Sequence, residues 1–227
     1  MKYIVANWKA NKNIHQADIW IKTLLSQKKL LSQQNLTIII ATPYPYLPLL
    51  TDRLKKYKNI HPAAQSVSSL ENGSHTAQVT ASMLKDFVNY VLIGHSETNL
   101  VYKESLSDLE KKVANCKKQA LTPIIFIPNL STIPNNYPSE SFLAYEPPSA
   151  ISTSKNSTPP TPQKVNQFIK NLKTKNNKNK IIYLYGGSVN PDNVVDYIKV
   201  VDGVVPGSAS LDVETFIKLV INVHKST

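Results

Sequence analysis

Three side chains with acid–base chemistry lie far apart in the sequence, and each follows a short apolar run. His95 stands in VLIGHSETN (residues 91–99), Lys9 in NWKAN, and Glu146 follows FLAY. An imidazole, an ammonium group and a carboxylate can together move a proton and stabilise the negative charge that its removal leaves behind. Taken singly, each has a plainer interpretation: His95 fills a strand end, Lys9 lies on the surface and Glu146 caps a turn.

Two glycine-bearing turns add a possible anion site. YGGSV places Ser188 after Gly186 and Gly187, and PGSAS places Ser208 after Gly207. Backbone N–H groups in such turns bind phosphate when a helix follows, although glycine also serves a simple tight turn. The sequence therefore offers a base, an electrophile, a cation and an anion site, provided that the fold brings them together.

Eight short apolar runs alternate with longer amphipathic stretches. The runs are apolar almost throughout, as expected for parallel strands that are covered on both faces. The predicted strands are Tyr3–Ala6, Leu36–Ala41, Ile60–Ala64, Tyr90–Ile93, Pro123–Ile127, Phe142–Tyr145, Ile181–Tyr185 and Gly203–Val205. The predicted helices lie near residues 15–31, 44–57, 80–86, 105–119, 161–175, 191–199 and 213–225. Two of them have the residue types that begin helices, Thr161-Pro162 and Asn190-Pro191.

This alternation indicates an α/β fold and leaves two architectures open, a doubly wound open sheet and a (β/α)8 barrel. No glycine-rich nucleotide motif follows the first strand, which disfavours the nucleotide-binding open sheet. In a barrel, the polar residues after strands one, four, six, seven and eight would meet at one rim. Only fourteen residues lie between Asn129 and Ala144, and they include two prolines and the pair Asn135-Asn136, so we expect helix five to be missing or much shortened.

The composition fits a single globular domain over residues 1–227 and disfavours several classes of protein. The chain is 41% hydrophobic, which suits a sizeable core, and no apolar run approaches the ~20 residues of a membrane span. The net charge of +11 comes from scattered lysines without interleaved aromatics. We therefore expect no nucleic-acid or membrane partner, but a field that attracts a small anion. Cys116 is the single cysteine, so no internal disulfide forms and a cytoplasmic location is expected.

Four segments, NWKAN, IGHSE, AYEP and YGGSV, occur in this order, and through them the chain resembles the triosephosphate isomerase family. The resemblance runs from Asn7 to Leu211, with a gap at helix five, and it implies a (β/α)8 TIM barrel. It also implies the interconversion of dihydroxyacetone phosphate and D-glyceraldehyde 3-phosphate by proton transfer through an enediolate, in glycolysis and gluconeogenesis. Neither a metal nor an organic cofactor is implied.

The resemblance gives each matching residue a role. Glu146 aligns with the base, His95 with the electrophile that polarises the carbonyl group, and Lys9 and Asn7 with residues that bind substrate and stabilise its charge. A carboxylate base paired with a neutral histidine is known from this family, and a helix that begins after His95 would disfavour imidazolium. The remaining aligned residues are the phosphate contacts Ser152, Ser188, Gly207 and Ser208 and the supporting residues Ser96 and Glu97.

Residues 147–155 align with the mobile lid of the family, and this segment departs from the family pattern. Pro148 and Ser149 stand near the position of a hinge aromatic, and Ser152 and Ser154 stand where the family has glycines. Prolines restrict the backbone, and loss of glycine removes freedom at positive φ. The sequence therefore predicts a stiffer lid that pivots differently.

The family is typically homodimeric, and its third loop reaches the active site of the other subunit. That loop is about residues 66–79 here, and Thr76 aligns with a residue that meets the partner's Asn7. Thr98-Asn99 replaces a double arginine and Gln78 replaces a glutamate, so both sides of the usual ion pair have changed together. The resemblance nevertheless implies a homodimer.

Two other functions stay open at this stage: a non-catalytic phosphate-binding barrel that acts as a scaffold, and an isomerase for another sugar phosphate. The departures fall on the hinge, the interface and the periphery. Asn7, Lys9, His95 and Glu146 all remain. A decayed site would lose the reacting residues at least as often as the scaffold, so this pattern favours an active enzyme.

Overall fold

A computed structural model describes residues 1–32, 35–150, 158–175 and 180–226. Within these residues, eight parallel strands form a closed barrel in the order in which they occur in the chain. The strands are β1 (Lys2–Asn7), β2 (Leu36–Thr42), β3 (Ile60–Ala64), β4 (Tyr90–Ile93), β5 (Thr122–Ile127), β6 (Phe142–Tyr145), β7 (Ile182–Tyr185) and β8 (Gly203–Val204). Each observed end lies within one residue of the predicted end.

The pairing of the first strand with the last decides between the two architectures. Tyr3 pairs with Gly203 and Ile4 pairs with Val204, so β8 closes the sheet on β1. The (β/α)8 barrel prediction is therefore confirmed, and the open sheet is excluded. Because all strands are parallel, their carboxyl ends lie at one end of the barrel, which we call the carboxyl rim.

Alternate side chains along each strand point into the barrel or out toward the helices. The interior is filled by buried apolar side chains from all eight strand regions, including Val5, Ile39, Ala63, Leu92, Ile124, Ala144, Leu184 and Val205. The outward-facing side chains join the larger apolar core under the helices. Burial on both faces explains why these strands are almost continuously apolar in sequence.

The helices surround the barrel and largely follow the predicted positions. They are α1 (Ile14–Ser26), α2 (Lys28–Leu31), α3 (Leu47–Leu54), α4 (Ala81–Leu84), α5 (Ser96–Tyr102), α6 (Leu106–Lys118), α7 (Pro162–Lys175), α8 (Val194–Ile198) and α9 (Val213–Lys225). The short helix expected after His95 is α5. Across the described part of the chain, no helix is both long and apolar enough to traverse a bilayer.

The two proposed helix starts have different outcomes. α7 begins at Pro162, directly after Thr161, as predicted. α8 begins at Val194, so the predicted start at Pro191 is wrong. The Asn190 side chain accepts hydrogen bonds from the N–H groups of Asp192 and Asn193 (2.9 and 3.1 Å). Asn190 thus stabilises a turn that delays the helix.

Residues 128–141, between β5 and β6, contain no helix, as expected. The loop covers the outer face of the barrel with its own side chains: Tyr137 is buried, and Leu130 and Ile133 pack against the same core. Glu110 of α6 fastens the loop, because its Oε1 accepts hydrogen bonds from both the backbone and side-chain nitrogens of Asn135 (3.1 and 3.0 Å). The missing helix therefore leaves the strands covered.

Tyr137→Ala tests whether this loop replaces helix five in the core. Loss of the buried ring should lower the free energy of unfolding by about 3 kcal/mol, whereas Tyr137→Phe keeps the ring and should cost less than about 1.5 kcal/mol. Urea unfolding followed by circular dichroism measures both. Equal stability of the alanine variant and the wild type would show that the loop does not cover the barrel.

Candidate active site

The turn from β4 into α5 places His95 at the carboxyl rim. Gly94 has a φ of 72°, a left-handed conformation that favours glycine, and it turns the chain into the helix. His95 is the N-cap of α5, and its Nδ1 accepts a hydrogen bond from the N–H of Glu97 (3.2 Å). An Nδ1 that accepts a hydrogen bond carries no proton. The neutral imidazole therefore has its proton on Nε2, where it can be donated.

The surroundings of His95 favour the neutral ring. The side chain is buried, and its ring packs edge-on against Phe126 with the centroids 4.7 Å apart. Burial lowers the pKa of His95 below its ordinary value; Glu146 and Glu97 act in the opposite direction, and Lys9 adds to the lowering. The expectation of a neutral histidine thus has two physical causes, burial and the helix N-terminus.

Glu146 directly follows β6 and lies against His95. Its Oε1 is 3.2 Å from His95 Nε2, and its Oε2 accepts a hydrogen bond from the N–H of Ser96 (3.1 Å). The carboxylate is 6% exposed. Ser96 thus contacts Glu146 through its backbone, whereas its buried hydroxyl oxygen has no hydrogen-bond partner among the described residues. The predicted base and electrophile, which lie far apart in the sequence, are therefore neighbours.

Lys9 reaches the site from the loop after β1 in a strained conformation. Its φ is 53°, which costs a non-glycine residue about 1–2 kcal/mol. Asn7 Oδ1 accepts a hydrogen bond from the Lys9 N–H (3.0 Å), and Gln65 Nε2 donates to the Lys9 carbonyl oxygen (2.9 Å). The ammonium group forms an ion pair with Glu97 (2.8 Å). These contacts fix both the backbone and the charge of Lys9.

Gln65 is a site residue that the sequence analysis missed. Its side chain also donates to the carbonyl oxygen of Ala41 (3.1 Å) and lies 3.4 Å from Asn7 Oδ1, so it joins the ends of three strand regions. It directly follows β3, the same position from which the other site residues were inferred. A polar residue after a buried strand was therefore an available signal.

The two glycine turns follow β7 and β8 at the same rim. Ser188 donates a hydrogen bond from its hydroxyl to the carbonyl oxygen of Ala150 (3.0 Å), and Ser208 begins a 3-10 helix, Ser208–Ser210. A Cβ atom on Gly207 would lie 3.2 Å from Lys9 Cε, so glycine lets the lysine side chain lie alongside the turn. Ser152, the fourth predicted phosphate contact, lies outside the described residues.

These residues surround one cavity at the carboxyl rim. Its lining includes the predicted residues Asn7, Lys9, His95, Glu146, Ser188, Gly207 and Ser208. Glu97 lies just outside, paired with Lys9. Among the described residues, no cluster of three histidine, cysteine, aspartate or glutamate side chains could hold a metal ion. The cavity therefore combines an acid–base pair, a cation and two turns with backbone N–H groups.

Comparison with known protein families identifies this arrangement. The sequence profile of the family described as "Triosephosphate isomerase" matches residues 2–136 and 128–223. The chain belongs to the triosephosphate isomerase family. Triosephosphate isomerases interconvert dihydroxyacetone phosphate and D-glyceraldehyde 3-phosphate, a step of glycolysis. The two matched segments overlap at residues 128–136, within the loop that forms no helix.

Several curated triosephosphate isomerases are similar over nearly their full length. The chain is 35% identical to that of Blochmanniella floridana over 246 residues, covering 96% of this chain and 94% of the relative. It is 34% identical to that of Wigglesworthia glossinidia brevipalpis (98% and 96% covered) and 33% identical to that of Finegoldia magna (96% and 96%). The resemblance inferred from four short segments is thus confirmed across the chain.

Two positions at which the resemblance implies a departure from the family pattern have local partners in this structure. Gln78 accepts a hydrogen bond from the Ser68 hydroxyl (2.8 Å), and Thr98 donates its hydroxyl hydrogen to the His95 carbonyl oxygen (2.8 Å). Pro148 and Ser149 begin a 3-10 turn at the entry to the predicted lid. Ser154 lies outside the described residues. Gln78 and Thr98 are thus neutral residues held within their own segments.

Nuclear magnetic resonance tests the protonation state of His95. The His95 ring signals of the wild type are assigned by their absence from the spectrum of His95→Gln. They should show a proton on Nε2, and the ring should titrate below the ordinary histidine pKa of 6.5. Below that pH the unfolded chain protonates this ring while the native chain does not, so stability should decrease as the pH falls toward the native pKa. His95→Gln should lack this component. A ring that titrates at or above pH 6.5 would contradict the prediction.

Proposed function

We propose that this chain catalyses the isomerisation of the two triose phosphates with its own side chains as Glu146 base, His95 electrophile and Lys9 cation. No metal or organic cofactor takes part in this scheme. One observation supports it above the others: these three residues, from loops after three different strands, line one cavity together with the turns after β7 and β8. Each group has the chemistry that one step of an enediolate reaction requires.

In this scheme the negative charge that develops on the substrate oxygens is stabilised by two donors. Removal of a proton next to a carbonyl group leaves an enediolate, whose oxygens need preorganised hydrogen bonds or positive charge. His95 offers the Nε2 proton of a neutral ring, and Lys9 offers an ammonium group held by Glu97. Asn7 fixes the Lys9 backbone by accepting a hydrogen bond from its N–H.

Glu146 has to move before it can act as the base. Its two oxygens are held by His95 Nε2 and the Ser96 N–H, and a substrate oxygen must take over the His95 contact. The next residues are Pro147 and the 3-10 turn Pro148–Ala150, so a movement of the lid would carry the carboxylate with it. Closure of such lids excludes water from a reactive intermediate.

The phosphate group of the substrate would lie at the turns after β7 and β8. We assign it to the backbone N–H groups of Gly207 and Ser208, the Ser188 turn and, from family likeness, Ser152. The first N–H groups of a helical turn have no partner within the turn, and the Ser208–Ser210 turn begins at this rim. A net charge of +11 favours the approach of an anionic substrate over long range.

We further propose that the chain acts as a homodimer through its third loop, residues 66–79. Its base is closed by a hydrogen bond from the Ser68 N–H to the Val79 carbonyl oxygen (2.8 Å), while residues 71–78 are exposed. Leu100, Val101 and Tyr102 of α5 are 75, 71 and 72% exposed. A projecting loop beside an uncovered apolar helix face is typical of a self-complementary interface.

A cleft of about 830 Å³ next to the active site gives this loop a place to bind. Its lining includes Tyr44, Val79, Val101 and Tyr102 together with Lys9 and His95 of the active site. Insertion of the partner's loop there would cover the apolar helix face and bring Thr76 close to Asn7. The dimer would then complete the wall of each active site.

We place this reaction in the cytoplasm. Glycolysis runs there, and Cys116 is a free, buried thiol. Burial raises the pKa of Cys116 to about 12, so the thiol is unreactive at neutral pH. A chain with a single unpaired cysteine suits a reducing compartment.

Glu146→Gln tests the proposed reaction. In an assay that couples glyceraldehyde 3-phosphate isomerisation to a reductase, kcat should fall by about 10²–10⁴-fold, because the amide cannot accept the substrate proton. Glu140→Gln is the matched control. Glu140 precedes Glu146 on the same segment, is exposed and forms an ion pair with Lys180. Loss of its charge should leave kcat unchanged.

Each alternative function predicts a different result in this assay. A wild type that binds a phosphate-bearing anion but turns over no triose phosphate would support the scaffold. Turnover of a larger sugar phosphate with little activity toward trioses would support another isomerase. Equal loss in both glutamine variants would remove Glu146 from its assigned role.

Val101→Asp tests the dimer. A charge buried at the apolar helix face should dissociate the subunits, because an unpaired charge in an interface is costly. Analytical ultracentrifugation should find twice the monomer mass for the wild type and the monomer mass for the variant. Gln163→Asp, which adds the charge at an exposed position of α7, should remain dimeric. A monomeric wild type would overturn the proposal.

A further inference from the structure

We propose that Lys12 is a positioning residue for the phosphate end of the substrate. It connects the loop that carries Lys9 to the phosphate turn, which we define as residues 207–211. This inference rests on the proposed assignment of the phosphate to that turn.

The Lys12 side chain crosses from the first loop to the last. Its Nζ donates a hydrogen bond to the carbonyl oxygen of Leu211, at the carboxyl end of the Ser208–Ser210 turn. The same Nζ lies 5.3 Å from the ring centroid of Trp8, which is completely buried. A cation at the carboxyl end of a helical turn interacts favourably with its exposed carbonyl groups. Lys12 thus holds the end of the turn opposite to the N–H groups that would bind phosphate.

The backbone of Lys12 is held in a conformation that a lysine does not favour. Its φ is 72°, and the Tyr46 hydroxyl donates a hydrogen bond to its carbonyl oxygen (2.6 Å). Glycine would adopt this φ without strain. Lysine therefore stands at a position whose backbone conformation favours glycine. This is understandable if the ammonium group has a use.

The burial of the ammonium group points the same way. Lys12 is partly buried, and this burial lowers its pKa, while the carboxylate of Asp212 acts in the opposite direction. Lysine on a surface normally extends into water. Here the side chain instead gives up part of its hydration and makes a specific hydrogen bond to the phosphate turn.

Hydrogen bonds from uncharged side chains also position the phosphate turn. Trp20 Nε1 donates to the Ser210 carbonyl oxygen (3.1 Å), and the Ser210 hydroxyl lies within hydrogen-bond distance of the carbonyl oxygens of Asn7 and Gly207 (3.1 and 2.6 Å). These bonds fix the middle of the turn. Lys12 fixes its end, so its loss should loosen the turn without unfolding it.

This placement predicts an effect on binding and not on the chemical step. The phosphate group keeps its charge throughout the reaction, and we expect the Lys12 contact to affect the bound substrate and the transition state to the same extent, as uniform binding does. A weakened phosphate contact therefore raises KM and leaves kcat nearly unchanged. A general structural defect would instead reduce the amount of active enzyme and lower the apparent kcat.

Lys12→Met tests the proposal, since it keeps the apolar stem and removes the ammonium group. We expect KM for the triose phosphate to rise about tenfold, the size expected from losing a charge-assisted hydrogen bond, with kcat within about twofold. Calorimetric Kd values for phosphoglycolate and inorganic phosphate should rise by the same factor. Lys12→Arg should restore most of the affinity.

Lys2→Met is a matched control at the opposite end of the barrel. Lys2 Nζ also donates to backbone carbonyl oxygens, those of Ile198 and Val201 (2.7 and 2.8 Å), and the variant loses the same charge. It should leave KM and both Kd values unchanged. Lys12→Gly separates strain from contact: relief of the φ strain should preserve folding, while anion affinity falls as in Lys12→Met.

The possible outcomes are distinct. Wild-type affinities in Lys12→Met or Lys12→Gly would overturn the role of Lys12, as would equal losses in Lys12→Met and Lys2→Met. A wild type that binds neither anion would overturn the phosphate assignment together with this inference. If Lys12→Met does not fold, the arginine and glycine variants decide the question by the same Kd measurements.

Discussion

The closed ladder of parallel strands is the constraint on which the site depends. All eight strands are parallel, so they end at the same rim, and because β8 pairs with β1 the loops that follow them form one ring. Lys9, His95 and Glu146 therefore meet although they are far apart in the chain. The ladder tolerates the loss of an outer helix, since residues 128–141 supply their own apolar cover through Tyr137.

Within this frame, short polar contacts tune the reactive groups. The neutral form of His95 is favoured by burial, which lowers its pKa, and by the Glu97 N–H that its Nδ1 faces. Lys9 adopts a costly backbone conformation that Asn7 and Gln65 maintain. Both residues thus depend on hydrogen bonds to neighbouring protein groups. The barrel supplies approximate positions, and these hydrogen bonds supply the orientation.

The sequence was sufficient to predict the strands and the polar side chains that follow them at the carboxyl rim, for a clear physical reason. Strands buried on both faces form continuous apolar runs, and a polar residue directly after such a run lies at the rim. The start of α8 was mispredicted because the Asn190 side chain stabilises a preceding turn. The contacts of Gln65 and Lys12 were not predictable, since each joins loops whose separation in space depends on the completed barrel.

The helix-free connection between β5 and β6 has a consequence for how far this protein can be shortened. A link between parallel strands must run back along the length of a strand, which takes about a dozen residues or more. Residues 128–141 are close to that minimum. Deletions there should prevent closure of the barrel. A guest peptide inserted beside exposed Ser139 would meet no such geometric limit.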